Sequence, residues 1–532
     1  MTSRANSSVS RRAVLIGGVG AATGAALAGA APPAFAATAR SAAAPPGADP
    51  TRGKHKYFSF DTGLWNGHLM SNCQVSMGKF EKDTSNNPLF GEGLYASPSL
   101  PWEPRFDNGY PNVFWDPGAR KYRCYYTLFI VDPSSSSTPV DQRPGKPYST
   151  EGRVTGCGYA ESADGVHWTK PALGIVDFNG STANNLLLKN VQGTSVLHDP
   201  GDPDPSRRYK LLTLASTLSV AFSADGIHFT PLQPWPANSP APGADCHNRV
   251  FKDSVSGDYV LITRLWDNNI RVVAMARSRD FISWSKPVEV HRGNGLEAQT
   301  YSMPSWEYGE GLYLGLDSVY TDGDDTLPDY DTVSLALQWS TNITEWNDVA
   351  PDDSTFIPHG PGMGQYPRGA FDSSVIFASV PVETGDRLWF YYMGGKGLHT
   401  SWRQTALGRG WIQKDKFACY GSRVAHRPAM VTTQGLDFYG DDLRLLADID
   451  HGGSVSVALT DQNGTVVQPG FGADRSLLTP GPDGWHQVHW RGADVRSLTP
   501  GAFYALRITL RNTRLWAIGG DFYVRPLKYA KP

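Results

Sequence analysis

A short element recurs four times along the sequence, and its spacing constrains the fold more than any other feature. It reads Ser-x-Asp-Gly-x-x-Trp in its fullest form. Its copies begin at Ser162, Ser223, Ser278 and Ser340, which are 61, 55 and 62 residues apart. Aspartate or asparagine can satisfy backbone donors in a tight turn, and glycine permits a positive φ. Each copy is therefore typical of a turn that is followed by an aromatic anchor.

A second element precedes these turns and occurs five times. It consists of an apolar strand, a polar turn and a second strand that usually contains tyrosine, which is the pattern of a β-hairpin. The copies span residues 113–126, 196–212, 250–262, 303–315 and 375–391. Strand units that repeat in this way are typical of propeller blades, whereas two stacked β-sandwiches would not repeat one motif at this spacing. We therefore predict an all-β, five-bladed β-propeller over residues 54–408.

Short alternating strands replace the repeat after about residue 410. They are clearest at residues 443–449, 454–459 and 504–510, and an Asn463-Gly464 turn follows the second of them. This pattern predicts a separate antiparallel β-sandwich over residues 409–532.

The first residues of the chain have the pattern of an export signal. Arg11 and Arg12 precede an apolar, small-residue stretch that ends at Ala34-Phe35-Ala36, a small-x-small cleavage site. The paired arginines predict a twin-arginine signal peptide at residues 1–36 and a secreted, extracellular protein. Residues 37–53 are rich in Ala, Pro and Gly and are predicted to form a flexible linker.

Composition narrows the partners that this chain can have. The formal net charge of −3 argues against nucleic acid, and the 16 Trp residues suit stacking on sugar rings as well as core packing. The five cysteines include no CxxC pair, so they indicate neither a zinc site nor a disulfide framework. We expect a carbohydrate substrate (an oligo- or polysaccharide), no stable membrane insertion and a monomer.

Two runs of sequence carry a family resemblance. They are residues 157–171, with Asn184-Asn185 after them, and residues 271–284. Together they resemble bacterial proteins similar to glycoside hydrolase family 32, which pair a five-bladed propeller with a C-terminal sandwich. The resemblance, extended to the related family 43, implies a glycosidase that uses carboxylates from the inner strands.

The sequence departs from the best-known motifs of that family. Asn-Asp-Pro-Asn-Gly, Arg-Asp-Pro and Glu-Cys-Pro are missing, and the position of the first reads Asp107-Asn-Gly-Tyr-Pro-Asn112. No catalytic triad can therefore be carried across, and the candidate acids must be found from their position in the blades.

Acidic residues shortly before the hairpins are the candidate catalytic groups. The start of each inner strand should face the propeller axis, and glycoside hydrolysis needs a protonated carboxyl group and a carboxylate beside the scissile bond. Four of the five units place an acid in about this register, where burial and like charge can split pKa values. The candidates are Asp245, Glu297, Asp372, Glu103 and Asp107.

Within this set, Glu297 is assigned as the general acid and Asp245 as the nucleophile or base. Side chains suited to sugar rings or hydroxyls complete the predicted site: Trp102, His247, Asn248, Gln299 and Tyr301. The acids that repeat with the units are expected to be structural: Asp116, Asp164, Asp199, Asp225 and Asp253.

No cofactor or metal site is predicted, because His247, His359 and His399 are scattered along the sequence. A calcium ion in the central channel is the alternative that acid-rich inner strands leave open.

Two other functions fit the fold. A non-catalytic carbohydrate-binding propeller would retain the aromatic surface but cleave nothing. A sialidase-type hydrolase would need three clustered arginines, which the sequence does not display in repeat register. Ser-His-Asp chemistry is unsupported, since no Gly-x-Ser-x-Gly motif is present.

Overall fold

The computed structural model describes residues 55–236, 244–309 and 311–524 of the 532-residue chain. The predicted signal peptide at 1–36 and the predicted linker at 37–53 lie outside these residues. Within the described ranges, no helix is long and apolar enough to cross a membrane. The described helices are one α-helix, Pro133–Ser137, and 3₁₀ helices at Gly67–Leu69, Gly93–Tyr95, Val140–Gln142, Pro205–Arg207, Gly295–Ala298, Ala473–Arg475, Pro482–Gly484 and Val495–Ser497.

Four short strands open the described chain and pair with distant parts of it. They are β1 (His55–Phe58), β2 (Cys73–Met77), β3 (Glu81–Lys82) and β4 (Phe90–Gly91). Their partners all lie beyond residue 400, and these pairings tie the start of the chain to its later part.

Three antiparallel meanders follow. The first contains β5 (Asn112–Asp116), β6 (Lys121–Val131), β7 (Val154–Ser162), β8 (Trp168–Thr169) and β9 (Leu186–Lys189). The second contains β10 (Gln192–His198), β11 (Tyr209–Leu214), β12 (Leu218–Ser223) and β13 (Gln233–Pro234). The third contains β14 (Arg249–Lys252), β15 (Tyr259–Asp267), β16 (Ile270–Ser278) and β17 (Val288–Arg292).

Two further meanders are joined by a parallel pairing of Val333 with Val375. The fourth contains β18 (Gln299–Ser302), β19 (Ser305–Gly309), β20 (Leu312–Thr321), β21 (Thr332–Ser340), β22 (Asn347–Asp348) and β23 (Thr355–Ile357). The fifth contains β24 (Val375–Ala378), β25 (Val382–Thr384), β26 (Arg387–Lys396) and β27 (Gln404–Gln413), with β3 and β4 paired to the outer edge of β27.

The inner strands of the meanders are neighbours in a ring. Strand β5 packs against β10, β10 against β14, β14 against β19 and β25 against β5, while β20 contacts β24. The strand pairing confirms the predicted all-β fold and its propeller arrangement. The outermost strands of the fifth meander precede the first meander in sequence, so residues 81–91 close the ring.

The recurring Ser-x-Asp turns follow the third strand of a meander. In the first copy, the Ser162 hydroxyl accepts a hydrogen bond from the Gly165 N–H at 2.9 Å, and Asp164 Oδ1 accepts bonds from the next two backbone N–H groups at 2.8 Å. The other three copies make the same bonds. The turns are therefore fixed by local side-chain-to-backbone bonds, as the motif predicts.

Acids at the ends of the inner strands link neighbouring meanders. In each case, the acid accepts a hydrogen bond from a tyrosine hydroxyl in the next meander along the chain. The bonds are Tyr209 to Asp116 at 2.5 Å, Tyr259 to Asp199 at 2.7 Å and Tyr313 to Asp253 at 2.5 Å. These contacts give the repeated acids the structural role expected of them.

The remaining strands form an eight-stranded sheet with β1 and β2. They are β28 (Ala418–Ser422), β29 (Ala429–Thr432), β30 (Leu436–Asp461), β31 (Ser476–Pro480), β32 (Trp485–Trp490) and β33 (Tyr504–Val524). Apolar side chains from both halves of β30, such as Leu445 and Leu459, share one buried cluster with β33. The long strands therefore curl over themselves and enclose a core between two layers.

The boundaries of the propeller and of the C-terminal sheet differ from the predicted limits of 54–408 and 409–532. Strands β1 and β2 pair with the C-terminal sheet instead of the propeller. Strand β27 runs to Gln413 in the fifth meander, and β28 begins the C-terminal sheet at Ala418. A second apolar cluster is shared by both parts, since it contains Phe58 and Trp516 as well as Leu337 and Phe390.

Candidate mouth of the propeller

One end of the propeller gathers functional side chains because of how an antiparallel meander runs. The start of the first strand, the end of the second and the start of the third all lie at the same end of each sheet. We call this end the mouth. The connectors between second and third strands there are residues 132–153, 215–217, 268–269, 322–331 and 397–403.

An ion-pair group at the mouth is centred on Asp107, which comes shortly before β5. Asp107 Oδ1 accepts bonds from Arg105 at 3.0 and 3.2 Å and from Arg403 at 2.6 Å. Arg403 also donates to Asn108 Oδ1 at 2.8 Å. Burial acts to raise the pKa of Asp107, but Arg403 and Arg105 outweigh it and hold this pKa well below its usual range. Asp107 is therefore an ionised carboxylate with a partly exposed side chain.

A second group comes from the third and fourth meanders. Asp245, before β14, forms a close ion pair with Arg264 at the end of β15, and its side chain is 52% exposed. Arg271, at the start of β16, donates to Gln299 Oε1 of β18 at 2.9 Å. The side chain of Trp266 lies beside both arginines and is half exposed.

Buried polar and aromatic side chains connect the two groups. Asn108 donates to the Tyr110 hydroxyl at 2.8 Å and to the Tyr301 hydroxyl at 3.4 Å. The Tyr110 hydroxyl in turn donates to the Asp245 carbonyl at 3.4 Å. The ring of His399 packs against Tyr301, with ring centroids 5.3 Å apart. Both groups therefore belong to one mouth.

The pKa of His399 is affected by arginines from both groups. Burial lowers the pKa of His399 to about 3, and Arg403, Arg271 and Arg105 act in the same direction. His399 is thus neutral at physiological pH. Arginines from both groups influence one imidazole, which places them around a common space.

Glu92 is an acid at this site that the sequence analysis missed. It is buried, and its Oε1 accepts bonds from the backbone N–H groups of Phe106 at 3.3 Å and Thr405 at 3.2 Å. Burial raises the pKa of Glu92 to about 7, although Arg105 lowers it in part. Glu92 directly follows β4, about 20 residues before the first hairpin, outside the register in which the other candidate acids lie. The distant pairing of β4 with β27 left no sequence signal for it.

The connector at residues 132–153, the longest of the five, borders the mouth. Tyr148 stacks edge-on against Trp402 at 4.9 Å, and the guanidinium of Arg105 lies over the Tyr148 ring at 4.0 Å. Trp402 donates its indole N–H to the Lys146 carbonyl at 2.7 Å. This connector therefore places an aromatic ring against the guanidinium group that bonds to Asp107.

Five of the predicted site residues lie at the mouth: Asp107, Asp245, Glu297, Gln299 and Tyr301, of which Gln299 and Tyr301 are buried. His247 and Asn248 follow Asp245 but are buried in the scaffold. His247 contacts the Pro111 carbonyl at 2.9 Å, and burial lowers its pKa to about 3. Asn248 donates to backbone carbonyls at 2.9 and 3.0 Å.

The other predicted residues lie elsewhere or make no contact. Glu103 is fully buried with Lys170, and it accepts a bond from Tyr126 at 2.5 Å. Trp102 donates to Asn185 at 2.7 Å, beside Glu103. The structure does not bring this pair to the mouth.

Asp372 and Glu297 also make no contact with the two ion-pair groups at the mouth. Asp372 is buried and pairs with Lys82 of β3 at 2.6 Å and Tyr392 of β26 at 2.9 Å. Glu297 lies directly before β18 at the mouth end, is exposed and hydrogen-bonds to none of the described residues. Asp372 thus takes part in ring closure, whereas Glu297 lies free at the rim.

Metal-ligand and thiol chemistry have no visible centre in the described part of the chain. No group of three or more His, Cys, Asp or Glu side chains is arranged there to hold a metal ion. The five cysteines are free thiols; Cys73 is partly buried and the other four are buried.

Comparison with known proteins gives only remote structural likenesses. No family model and no curated protein matches the chain. One similar structure, described as a GH130 glycoside hydrolase that targets β-1,2-mannosidic linkages in Candida mannan, has 14% identity and a TM-score of 0.41 over 64% of this chain and 95% of its own. A fructofuranosidase from Schwanniomyces occidentalis has 11% identity and a TM-score of 0.37 over 84% and 99%.

A GH62 α-L-arabinofuranosidase from Coprinopsis cinerea is a third such structure, at 12% identity and a TM-score of 0.40 over 64% of this chain and 98% of its own. With TM-scores below 0.5, these likenesses assign neither a family nor an activity to the chain. The function proposed below therefore depends on the strand pairing and on the geometry of the mouth.

Proposed function

We propose that the protein is a glycoside hydrolase, a glycosidase of family 32/43-like architecture that cleaves its substrate at the mouth. The observation that supports this is the meeting of three carboxyl groups at one solvent-accessible end of the propeller: Asp107, Asp245 and Glu92. Glycoside hydrolysis needs carboxyl groups on both sides of the scissile bond. A structural ion-pair network alone would not require Asp107 and Asp245 to remain accessible.

The surroundings of each carboxyl group suggest its role. Asp245 is half exposed and pairs only with Arg264 among the described residues, so it can reach an anomeric carbon or a water molecule as nucleophile or base. Glu92, with a pKa of about 7, is the group that can hold a proton at neutral pH and act as general acid. Asp107 keeps its charge and binds a sugar hydroxyl.

Glu297 is the alternative acid. Its side chain is exposed at the rim and has no partner among the described residues that would have to be displaced. A general acid must reach the leaving oxygen, and an exposed carboxyl group at the rim can contact a sugar that binds across the mouth.

Kinetic measurements on substituted proteins test these roles. The purified protein is screened against aryl glycosides and polysaccharides, and Asp245→Asn, Glu92→Gln, Glu297→Gln and Asp107→Asn are compared on the substrate found. We expect Asp245→Asn to lower kcat by at least about a thousandfold and only one of the two Glu substitutions to lower it strongly. Glu345→Gln, at an exposed turn on another part of the fourth meander, is the matched control and should have no effect.

Binding without cleavage would point to the other function that fits this surface. If no glycan is cleaved, and the parent and Asp245→Asn bind the same oligosaccharide equally, the protein is a carbohydrate-binding propeller. Cleavage that survives Asp245→Asn, Asp107→Asn and both Glu substitutions would place the active site away from the mouth.

Export through the twin-arginine pathway is part of the same proposal. Arg11 and Arg12 before an apolar stretch support it, as does the small-x-small cleavage site at Ala34-Phe35-Ala36. A reporter fused after residue 36 should be exported, and replacement of both arginines by lysine should retain it in the cell. Size-exclusion chromatography tests the proposed monomer.

A further inference from the structure

Four arginines at the mouth outnumber the carboxylates that pair with them. Among the described residues, ion pairs within 4.0 Å join Asp107 to Arg105 and Arg403, and Asp245 to Arg264. Arg271 has no carboxylate within this distance in the same part of the chain; its guanidinium donates to the neutral amide of Gln299 and lies over the rings of Trp266, Tyr301 and Tyr320. The four guanidinium groups thus face two paired carboxylates.

Two other acids near the mouth, Asp322 and Asp331, are engaged elsewhere, and Glu297 at the rim forms no ion pair within 4.0 Å with a described residue. Asp331 accepts bonds from the Thr400 hydroxyl at 2.7 Å and the Tyr320 hydroxyl at 3.0 Å. Asp322 accepts a longer bond from Gln299 at 3.4 Å. These carboxylates influence the local potential, but they leave the guanidinium of Arg271 without a direct anionic partner.

Each of the four arginines also has a buried nitrogen without an acceptor among the described residues. These atoms are Nη1 of Arg105 and Nε of Arg264, Arg271 and Arg403. A buried charged donor without an acceptor is costly, and a planar guanidinium fork matches the two oxygens of a carboxylate. An oxyanion bound among these guanidinium groups would supply acceptors for such donors.

Arg264 and Arg271 are also held close to each other. Their guanidinium groups lie over the same two rings, Trp266 at 5.0 and 4.7 Å and Tyr301 at 5.2 and 4.8 Å. Two like charges on shared rings repel each other, and an anion between them relieves that repulsion. The half-exposed face of Trp266 beside them can stack on a sugar ring.

We propose that the arginines of the mouth bind a carboxylate carried by the substrate, so that the glycan cleaved is an acidic one built from uronate-type sugars. This inference rests on the proposed glycosidase function and specifies its substrate class. Arg271 and Arg264 bind the carboxylate, Trp266 stacks on the ring that carries it, and Asp245 lies beside both at the scissile bond.

Calorimetric binding to the full protein tests the proposal. The probes are D-galacturonate and D-glucuronate, compared with D-galactose and D-glucose. We expect at least one uronate to bind at least tenfold more tightly than its neutral counterpart, and Arg271→Met to weaken this binding by about ten- to a hundredfold. Arg279→Met, on an exposed side chain after the same strand, is the matched control and should bind like the parent.

Two additions keep the result decisive. Arg271→Lys retains the charge but not the fork, so it should also weaken uronate binding if it folds like the parent by thermal unfolding. Inorganic phosphate and sulfate are measured in parallel, because a free oxyanion could satisfy the same guanidinium groups. Tight phosphate binding without uronate binding would assign the arginines to a free anion and overturn the proposal.

The remaining outcomes separate this inference from the proposed function. Uronates that bind no better than neutral sugars, or that bind Arg271→Met and Arg271→Lys as tightly as the parent, contradict the inference even if a neutral glycan is cleaved. Selective uronate binding by a protein that cleaves no acidic glycan supports the inference and contradicts the glycosidase function.

Discussion

Asp107 and Glu92 both lie within the electrostatic influence of Arg105, yet their surroundings move their pKa values in opposite directions. Asp107 accepts three N–H bonds from two guanidinium groups, and these keep it ionised. Glu92 accepts only two long backbone bonds and is buried, so the neutral form is favoured. Carboxyl groups whose pKa values are split in this way are typical of acid and base pairs in enzymes.

The raised pKa of Glu92 makes a prediction about stability and pH. A folded-state pKa of about 7, above the ordinary value of 4.5 for a glutamate, means that the folded protein binds this proton more tightly than the unfolded chain. The contribution to stability is therefore complete below about pH 4.5 and is lost as the pH rises towards 7. Glu92→Gln removes the titration, so its stability relative to the parent should rise by about 3 kcal/mol between pH 5 and pH 8.

Denaturant unfolding of both proteins at the two pH values measures this difference. If the gap between parent and Glu92→Gln is the same at pH 5 and pH 8, Glu92 titrates normally and is not the general acid.

The site residues that could be predicted are those whose position follows from the repeat. Asp107, Asp245 and Gln299 lie at or just before inner strands, and the hairpin pattern locates those strands in the sequence. Arg271, the second residue of β16, opens the run 271–284 that carries the family resemblance, but the resemblance gives it no role in a site, and no motif marks Arg403 directly before β27. Their convergence depends on ring geometry, which the sequence does not express locally.

At the scale of the single element, the tyrosine-to-aspartate bonds explain why the same residues recur in each unit. The tyrosine begins the second strand of one meander, and the acid ends the inner strand of the meander before it. Each bond therefore fixes the angle between two neighbouring sheets. Three such bonds recur with the repeat.

Removal of one of these hydroxyl groups should destabilise the propeller without affecting the mouth. Tyr259→Phe leaves the buried Asp199 carboxylate without this donor, and hydrogen bonds to charged groups contribute about 1.5–3 kcal/mol. We expect a loss of about 2 kcal/mol in denaturant unfolding and an unchanged KM. Tyr122→Phe is the control, because its hydroxyl hydrogen-bonds to none of the described residues; equal losses in the two variants would contradict a role for the bond.

Local periodicity accounts for the elements that could be predicted. The hairpins and Ser-x-Asp turns are specified by contiguous residues, and all five hairpins and four turns are present in the structure. Strands β1 to β4 are two to five residues long, and their partners lie more than 300 residues away in the chain. Such distant pairings produce no periodic pattern in the sequence. The sequence therefore predicts that the first strands belong entirely to the propeller.

On the scale of the whole molecule, the first strands link the two parts of the fold and close the ring. Strands β1 and β2 extend the C-terminal sheet, while β3 and β4 complete the fifth meander. The mouth depends on this closure, since Glu92 follows β4 and Arg403 precedes its partner strand β27. Ring closure and the candidate site are therefore built from the same segments.

The ion pair of Lys82 and Asp372 allows a test of whether closure of the ring stabilises the fold. It joins β3 to the segment before β24, with Asp372 almost fully buried. Removal of one partner leaves an uncompensated charge, so Lys82→Met and Asp372→Asn should each cost about 3 kcal/mol in denaturant unfolding. The exposed pair of Lys121 and Glu161 is the control, and Lys121→Met should cost less than about 1 kcal/mol.

Kinetics decide between closure and catalysis for Asp372, which the sequence placed among the catalytic candidates. If Asp372 serves closure, the folded fraction of Asp372→Asn retains the kcat of the parent, and Lys82→Met behaves in the same way. The reason is that neither side chain contacts Asp107, Asp245 or Glu92, so only the population of the closed ring changes. If Asp372→Asn unfolds like the parent but has lost its activity, Asp372 has a catalytic role. The reacting bond would then lie between the fourth and fifth meanders.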